Sequence, residues 1–220
     1  MRDLNQSVIK FNYEQNFTYD DFYISKSNEH IFKQLNKWPK WEKNFLNIVG
    51  EKFSGKTHLT NIFISKFKGI KLNAESLKNE DLKKIKLYEN IILEDLDKNI
   101  DEKLLYSLLN IVDLENKYII VTSNIPIVDI EFSLNDLKSR TKNFILQNIE
   151  KPDDNLIFAL ILKNLSDRQI SIDKKLIEFI IKRIHRSYSK IFDFIYKLDE
   201  LSLKKKKPIN LKIIKEVLGE

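Results

Sequence analysis

The stretch GEKFSGKT, residues 50–57, has the residue types and spacing to hold a polyphosphate. It satisfies G-x-x-x-x-G-K-[ST] in full, a pattern in which loop N–H groups and a following helix N-terminus point at phosphate oxygens. Lys56 would bring a point charge to the β and γ oxygens, and the Thr57 hydroxyl is a ligand for Mg²⁺. Gly50 and Gly55 are two of only four glycines in the chain. Between them lie Glu51, Lys52, Phe53 and Ser54, and His58 follows directly. Phe53 stands where such loops often have a small residue, which narrows the backbone options and leaves the amide donors in place.

A phosphate site of this kind needs acidic and polar partners on neighbouring strands. NIILEDLDK, residues 90–98, ends an apolar run on Glu94 and Asp95, where one carboxylate would hold the metal and the next activate water. Aspartate is the usual metal-holding residue there, and glutamate has a longer, more flexible reach. A solvated acidic turn would give the same letters. KYIIVTSNIP, residues 117–126, brings Ser123 and Asn124 to a strand tip, within reach of a γ-phosphate or an attacking water. S-N-x-P is also an ordinary strand-to-turn sequence, so its order after the other two elements is what gives it weight.

These residues need a scaffold that ends several strands at one edge. NFLNIVG (44–50), IKLN (70–73), ENIILED (89–95), KYIIVTSN (117–124) and NFILQNI (143–149) are short, β-branched apolar runs separated by helical patterns such as EKLLYSLLNIVDLE. That alternation predicts a doubly wound, five-stranded parallel sheet. After KPDD at 151–154 only helical spacing remains, and four helices are expected in a small all-helical unit. The predicted organisation is an N-terminal arm over 1–15, an α/β nucleotide-binding domain over 16–150 and a helical lid over 151–220, with the boundary near Pro152.

Composition narrows the function classes. There is no cysteine, and the three histidines (His30, His58, His185) are scattered, so neither disulfides nor a His/Cys metal cluster is expected. No run approaches the ~18 apolar residues of a membrane span, and the N-terminus has no apolar signal region, which fits a cytoplasmic protein. The net charge is +6, but the basic residues are interspersed with 32 acidic ones and only five are arginine: Arg2, Arg140, Arg168, Arg183 and Arg186. A lysine-rich solvated surface accounts for the charge more simply than a nucleic-acid footprint.

Taken in order, the phosphate loop, the acidic strand end, the polar strand tip, the arginine of DLKSRT and the helical lid resemble an AAA+ ATPase. More narrowly the chain resembles the DnaA-related family, and most of all its short, Hda-like members. FTYDDFYISKSN (17–28) is similar to that family's lead-in segment, GKTHL to its loop continuation, IIVTSNIP to its sensor strand, LKSR to its arginine-finger helix and PINLKIIKEVL to its last helix. The resemblance implies an AAA+ P-loop domain followed by a helical lid. ADP or ATP would be held by Gly50 to His58, with Phe22 and Asn28 near the adenine, Asn124 as sensor, Thr57 and Glu94 at Mg²⁺, and Asp95 in the acidic catalytic position. It further implies that Arg140 enters the nucleotide site of a neighbouring subunit. Aligned with the family's lid helix, IIKRIHRSYSKIF puts Ser189 where a sensor arginine is usual, so Arg186, Arg183 or Lys190 would have to substitute. Rapid turnover in cis is therefore not expected, and ADP is the expected resident ligand.

QSVIKF, residues 6–11, is similar to the Q-x-x-[LI]-x-[LF] peptide that bacterial proteins insert into the DNA polymerase sliding clamp, with Gln6 at the pocket mouth and Ile9 and Phe11 in the apolar slot. The expected partners are the replication initiator DnaA and that clamp. A homodimer is left open. The chain stops just past the lid helices, so no helix-turn-helix module for sequence-specific DNA readout is expected. Two other readings stay open at this point: an independent ATPase of the helicase-loader kind, and a DNA-binding protein using the lysines at 204–207.

Overall fold

The computed structural model describes residues 22–97 and 99–220. Five strands, β1 (Phe45–Val49), β2 (Ile70–Asn73), β3 (Asn90–Leu96), β4 (Tyr118–Ser123) and β5 (Ile145–Asn148), form one sheet in the order β2-β3-β4-β1-β5. Every pairing is parallel. β1, β3 and β4 are buried almost throughout, whereas β2 and β5 at the two edges alternate between partly buried and exposed positions. Central parallel strands are covered on both faces, which is why their sequences read as unbroken apolar runs.

Helices α1 (Glu29–Asn36) and α2 (Lys56–Phe67) lie on one face, where Ile31, Leu59 and Phe63 pack on Leu46, Ile48, Ile92 and Ile120. On the other face lie α3 (Asn79–Lys84), α4 (Glu102–Leu114) and α5 (Asn135–Thr141). There Leu105, Leu108, Leu109 and Val112 of α4 are buried against Phe45, Ile91, Leu93, Ile119 and Val121. Their spacing is the apolar stripe of a helix on a sheet. Asp101 starts α4 by accepting from the amides of Lys103 and Leu104, the expected cap chemistry.

From Asp154 onward the chain is helical: α6 (Asp154–Ser166), α7 (Lys174–Ile181), α8 (Tyr188–Lys205) and α9 (Leu211–Leu218). Asp153, Asp173 and Asn210 cap α6, α7 and α9 through their side chains. These helices enclose a core of their own, including Ile157, Ile161, Ile180, Ile195, Leu198 and Ile214. Leu156 and Tyr188 instead join the cluster built on α1, α2 and the sheet. The helical unit is therefore anchored to the α1–α2 face of the sheet by the starts of α6 and α8.

One buried polar residue fixes the edge of the sheet where the strands end. Asn47, fully buried in β1, donates to the Val121 carbonyl (3.1 Å) and to Ser123 Oγ (2.9 Å), and accepts from the Ile127 amide (2.9 Å). Ser123 passes the chain on by donating to the Ile125 carbonyl at 2.6 Å. A buried polar group is tolerated only when satisfied, and here it ties β1 to β4 and the turn beyond it. Asn47→Leu leaves the Ile127 amide without its acceptor, so a loss of about 2–3 kcal/mol in unfolding free energy is expected by urea titration.

Candidate functional site

The loop residues Gly50 to His58, the two carboxylates of β3 and Asn124 collect at the carboxyl ends of the strands, the place where open parallel sheets bind ligands. After β1 the chain turns through the loop and enters α2 at Lys56. Gly55 is the N-cap residue, with φ 95°, and no side chain caps the helix. A side chain at that left-handed φ would be strained, and a Cβ there would stand 3.4 Å from the Phe22 ring. Gly50 is needed for a different reason, since a Cβ would come within 2.5 Å of Ser54 Oγ and 3.1 Å of Ile149 Cβ. The outcome is a close-approach cradle at an uncapped helix N-terminus, a ready anion site.

Lys56 is only 7 % exposed. Its ammonium donates to the carbonyls of Gly50 (2.6 Å) and Glu51 (2.9 Å) and to Asn124 Oδ1 (3.1 Å). Burial lowers its pKa, and the negative charges of Asp95, Glu94 and Glu51 oppose that shift. A polyphosphate would supply the counter-charge that burial makes valuable. Of the two polar residues at the strand tip, Asn124 is the one that reaches Lys56. Ser123 is 1 % exposed, with its hydroxyl committed to Ile125 and Asn47.

The two carboxylates of β3 part company. A register shift between Leu93 and Leu96 forms a bulge, and Asp95 within it has φ 56°. The buried Thr122 hydroxyl accepts from the Asp95 amide at 3.1 Å, and the Asp95 side chain is left exposed on the site. Bulges beside functional sites commonly re-aim a side chain in this way. Glu94, 8 % exposed, turns inward. Its Oε1 accepts from Thr60 at 2.7 Å and its Oε2 pairs with Lys71 at 3.0 Å.

A cavity of about 930 Å³ opens over the loop, with Lys52 to His58, Asp95 and Asn124 on the α/β side and Leu156, Leu160, Tyr188 and Phe192 on the lid side. Phe22 and Asn28 line it as well. Phe22 is edge-on to His58 at 5.0 Å and stacked with Phe32 at 6.3 Å. Asn28 holds the lead-in segment by donating to the Tyr23 carbonyl and accepting from the Ser25 amide. The cradle, the buried lysine, the helix dipole and the apolar walls fit a nucleoside phosphate, and the Thr57 hydroxyl and Asp95 carboxylate are oxygen ligands suited to Mg²⁺. Among the described residues no group of three or more His, Cys, Asp or Glu side chains forms a metal cluster by itself.

The lid closes directly onto the loop. Phe53, at φ 68° and 46 % exposed, stacks on Phe192 with centroids 4.8 Å apart and planes 23° apart. Glu51 Oε2 accepts from Ser187 Oγ at 2.7 Å, and Ser187 lies 3.0 Å from Ser189 Oγ. Left-handed backbone costs a non-glycine residue about 1–2 kcal/mol, and the aromatic stack offsets part of it. The lid arginines are occupied elsewhere: Arg186 pairs with Asp154 (2.6 Å), and Arg183 pairs with Glu220 (3.3 Å) and lies over the Phe179 ring. Neither is among the cavity-lining residues. Lys190 is exposed on α8.

Arg140 also lies away from the cavity, at the end of α5. It pairs with Asp113 of α4 at 3.2 Å and sits over the Tyr106 ring at 5.3 Å. Gln6, Ile9 and Phe11 fall outside the described residues. Sequence reasoning missed Lys71, Thr60, Thr122, Ser187 and Phe192, all of which act through partners on other elements. The lid contacts of Phe192 and Ser187 had one visible signal, the aromatic Phe53 in a loop position that is commonly small.

Residues 153–218 match the family described as "Hda, lid domain". That match covers the helical unit alone, and along the rest of the chain the similarity is to replication initiators of the DnaA type. Over 93 % of its length the chain is 24 % identical to the chromosomal replication initiator protein DnaA of Buchnera aphidicola subsp. Cinara cedri, covering 53 % of that protein. The chain thus spans about half the length of the curated relatives it matches. Among solved structures, domain III of the Thermotoga maritima initiator DnaA superposes with a TM-score of 0.74 at 18 % identity, covering 95 % of this chain and 98 % of that one. AMPPCP-bound DnaA from Aquifex aeolicus superposes at 0.66 with 20 % identity, covering 89 % and 70 %. At these identities the superpositions establish the shared fold, a five-stranded parallel sheet with a helical lid. Among the described residues no helix is long and apolar enough to cross a membrane.

Tyr188 reports on lid docking. It is 2 % exposed and donates to the Glu150 carbonyl at 3.1 Å. Burial pushes its pKa up to about 12, against an ordinary value of 10.0, with Ser27 opposing the shift and Asp153 and Glu51 adding to it. The folded state prefers the protonated phenol, so its contribution is whole below pH about 10 and is lost as pH rises towards 12. Tyr188→Phe is expected to show a flatter decline of thermal midpoint than wild type across that window, read by circular dichroism.

Proposed function

We propose that this protein is a nucleotide-braced regulator of replication initiation, which promotes hydrolysis of ATP held by the initiator DnaA. The observation that carries the reading is a division of labour in space. The loop and the lid together line one cavity, while Arg140 is outside that lining, held by Asp113 and Tyr106 of α4. A guanidinium there has no business with the chain's own nucleotide and is available to one on a neighbouring molecule.

In this reading ADP or ATP binds with its phosphates at Gly50 to Thr57 and its base towards Phe22. AMPPCP in the Aquifex initiator's structure supports a nucleotide in this fold. Mg²⁺, when bound, would meet the Thr57 hydroxyl and Asp95 and screen phosphate charge. The nucleotide's role is to fix the lid against the loop, adding to the Phe53–Phe192 stack and the Glu51–Ser187 bond. Phe53 also makes the lid's position a property of the phosphate loop, since loop and lid move as partners in one stack.

Arg140 supplies the chemistry in trans. A guanidinium placed on the transferring phosphoryl group stabilises the charge that develops there. In this chain Asp113 and Tyr106 of α4 hold the guanidinium in one place, and the neighbour's phosphates would compete with Asp113 for it. The QSVIKF arm would dock the protein on the DNA-loaded sliding clamp through Gln6, Ile9 and Phe11, which confines hydrolysis to the period after replication has begun. The work is done on a partner's nucleotide.

Purified initiator, loaded clamp and this protein provide the test. Stimulation of initiator ATP turnover is expected to require all three, and Arg140→Ala should reduce it by about 10³-fold. Because the Arg140–Asp113 pair is partly exposed, the same substitution should change stability by only ~0–1 kcal/mol. Arg140→Ala protein that stimulates like wild type removes the finger from the mechanism. Gln6→Ala with Phe11→Ala should abolish clamp binding in a pull-down on purified clamp while nucleotide binding is retained. Clamp binding that survives both changes makes the arm irrelevant.

A further inference from the structure

Glu94 occupies the position at which the sequence pattern calls for a metal ligand, yet both of its oxygens are engaged by the protein. Oε1 accepts from the hydroxyl of Thr60, which lies within α2 and is fully buried. Oε2 meets the ammonium of Lys71 from the neighbouring strand β2. Register makes that meeting natural: Lys71 is opposite Ile92, two residues before Glu94, so both side chains leave the sheet on one face. The same ammonium donates to Asn61 Oδ1 of α2 at 2.7 Å. Glu94, 10 % exposed in its side chain, is therefore held by a cation clamped between sheet and helix, with Lys71 itself 31 % exposed. Asp95 and Thr57 line the cavity and Glu94 does not.

We propose that Lys71 is a built-in counter-cation of the acidic site, which removes Glu94 from metal binding and makes nucleotide binding by this chain nearly independent of a divalent ion. This rests on the nucleotide-brace reading above. The chemistry follows from charge and geometry. A carboxylate coordinates a hard cation through free lone pairs directed at it. Here Glu94 is aimed at α2 and at an ammonium, and a second positive charge brought beside Lys71 would be repelled by it. The site pairs two lysines, Lys56 and Lys71, with two carboxylates, Glu94 and Asp95, so the loop lysine meets the phosphates inside a cluster already near neutral. Such a site suits a retained ligand better than a turned-over one, because it leaves one carboxylate, Asp95, to serve both the metal and the water.

Calorimetric titration of the intact protein with AMPPCP, in MgCl₂ and in EDTA, tests this. Wild-type affinities in the two buffers should agree within about threefold, whereas Lys71→Met should gain about tenfold from Mg²⁺, the size of effect that metal-site partners commonly control. Glu94→Gln should leave the wild-type Mg²⁺ response within the same range. A wild-type protein that already gains tenfold or more from Mg²⁺, and loses that gain in Glu94→Gln, overturns the proposal. Where Lys71→Met does not fold, the wild-type and Glu94→Gln titrations decide alone. A separate arm needs no nucleotide: thermal midpoints of Lys71→Met, Glu94→Gln and the double variant. The double variant should be less destabilised than the two single effects summed, and strict additivity would show that the pair does not exist. Absence of AMPPCP binding in both buffers would sink the nucleotide brace, and the thermal cycle would then judge the Lys71–Glu94 pair by itself.

Discussion

A lysine ammonium carried almost out of water at the head of a helix is the constraint that organises this molecule. Lys56 sits where the dipole of α2 is positive, and burial penalises its charge further. The chain meets that cost with two loop carbonyls and the Asn124 amide oxygen, supported by acidic groups on β3 and in the loop. Each partner must be delivered by a different element. β1 has to end at Gly50, β4 has to bring Asn124 alongside, and β3 has to end on its carboxylates. A parallel sheet whose strands all finish at one edge delivers them together, and Asn47 inside β1 holds the β4 turn in the register that points Asn124 inward.

The lid is bound into the same arrangement. Leu156 and Tyr188 are packed in the cluster that also contains Ile31, Leu59 and Ile92, so the starts of α6 and α8 belong to the core beneath the loop. Phe53 adds a contact from the loop itself. Its left-handed backbone would be unfavourable in isolation, and the ring pays for it by stacking on Phe192. The lid reaches the loop through Ser187, which donates to Glu51, and through the ring of Phe192. The coupling is thus between protein and protein, across the mouth of the cavity.

Much of this was legible in the letters, and the reasons differ by residue. The strands stood out because central parallel strands need apolar residues on both faces, so IIL in β3 and IIVT in β4 leave little choice. The lid helices were marked by their apolar period alone, and the structure adds the caps Asp153, Asp173 and Asn210. The bulge at Asp95 was not legible, since ILEDL reads as a regular strand and the departure depends on Thr122 of another strand. Ser123 and Asn124 were equivalent as letters, and only the Asn47 network separates them. Lys71 carries no signal within IKLN, because its meaning lies in a cross-strand register that no local pattern records.

That last point bears on how motifs should be read in such chains. The phosphate loop is intact to the letter, and the acidic strand end differs by one methylene, yet the two differ widely in what their side chains are free to do. The loop's function resides largely in backbone amides and one lysine, which neighbouring side chains can tune but hardly replace. The acidic site's function resides in free lone pairs, which a single lysine on the adjacent strand engages. A nucleotide-binding fold can therefore keep its grip and lose its turnover through changes that leave the loop untouched. Arg140 lies away from that cavity, with 24 % of its side chain exposed and held by the Asp113 pair and the Tyr106 ring, so changes at the acidic site leave it untouched.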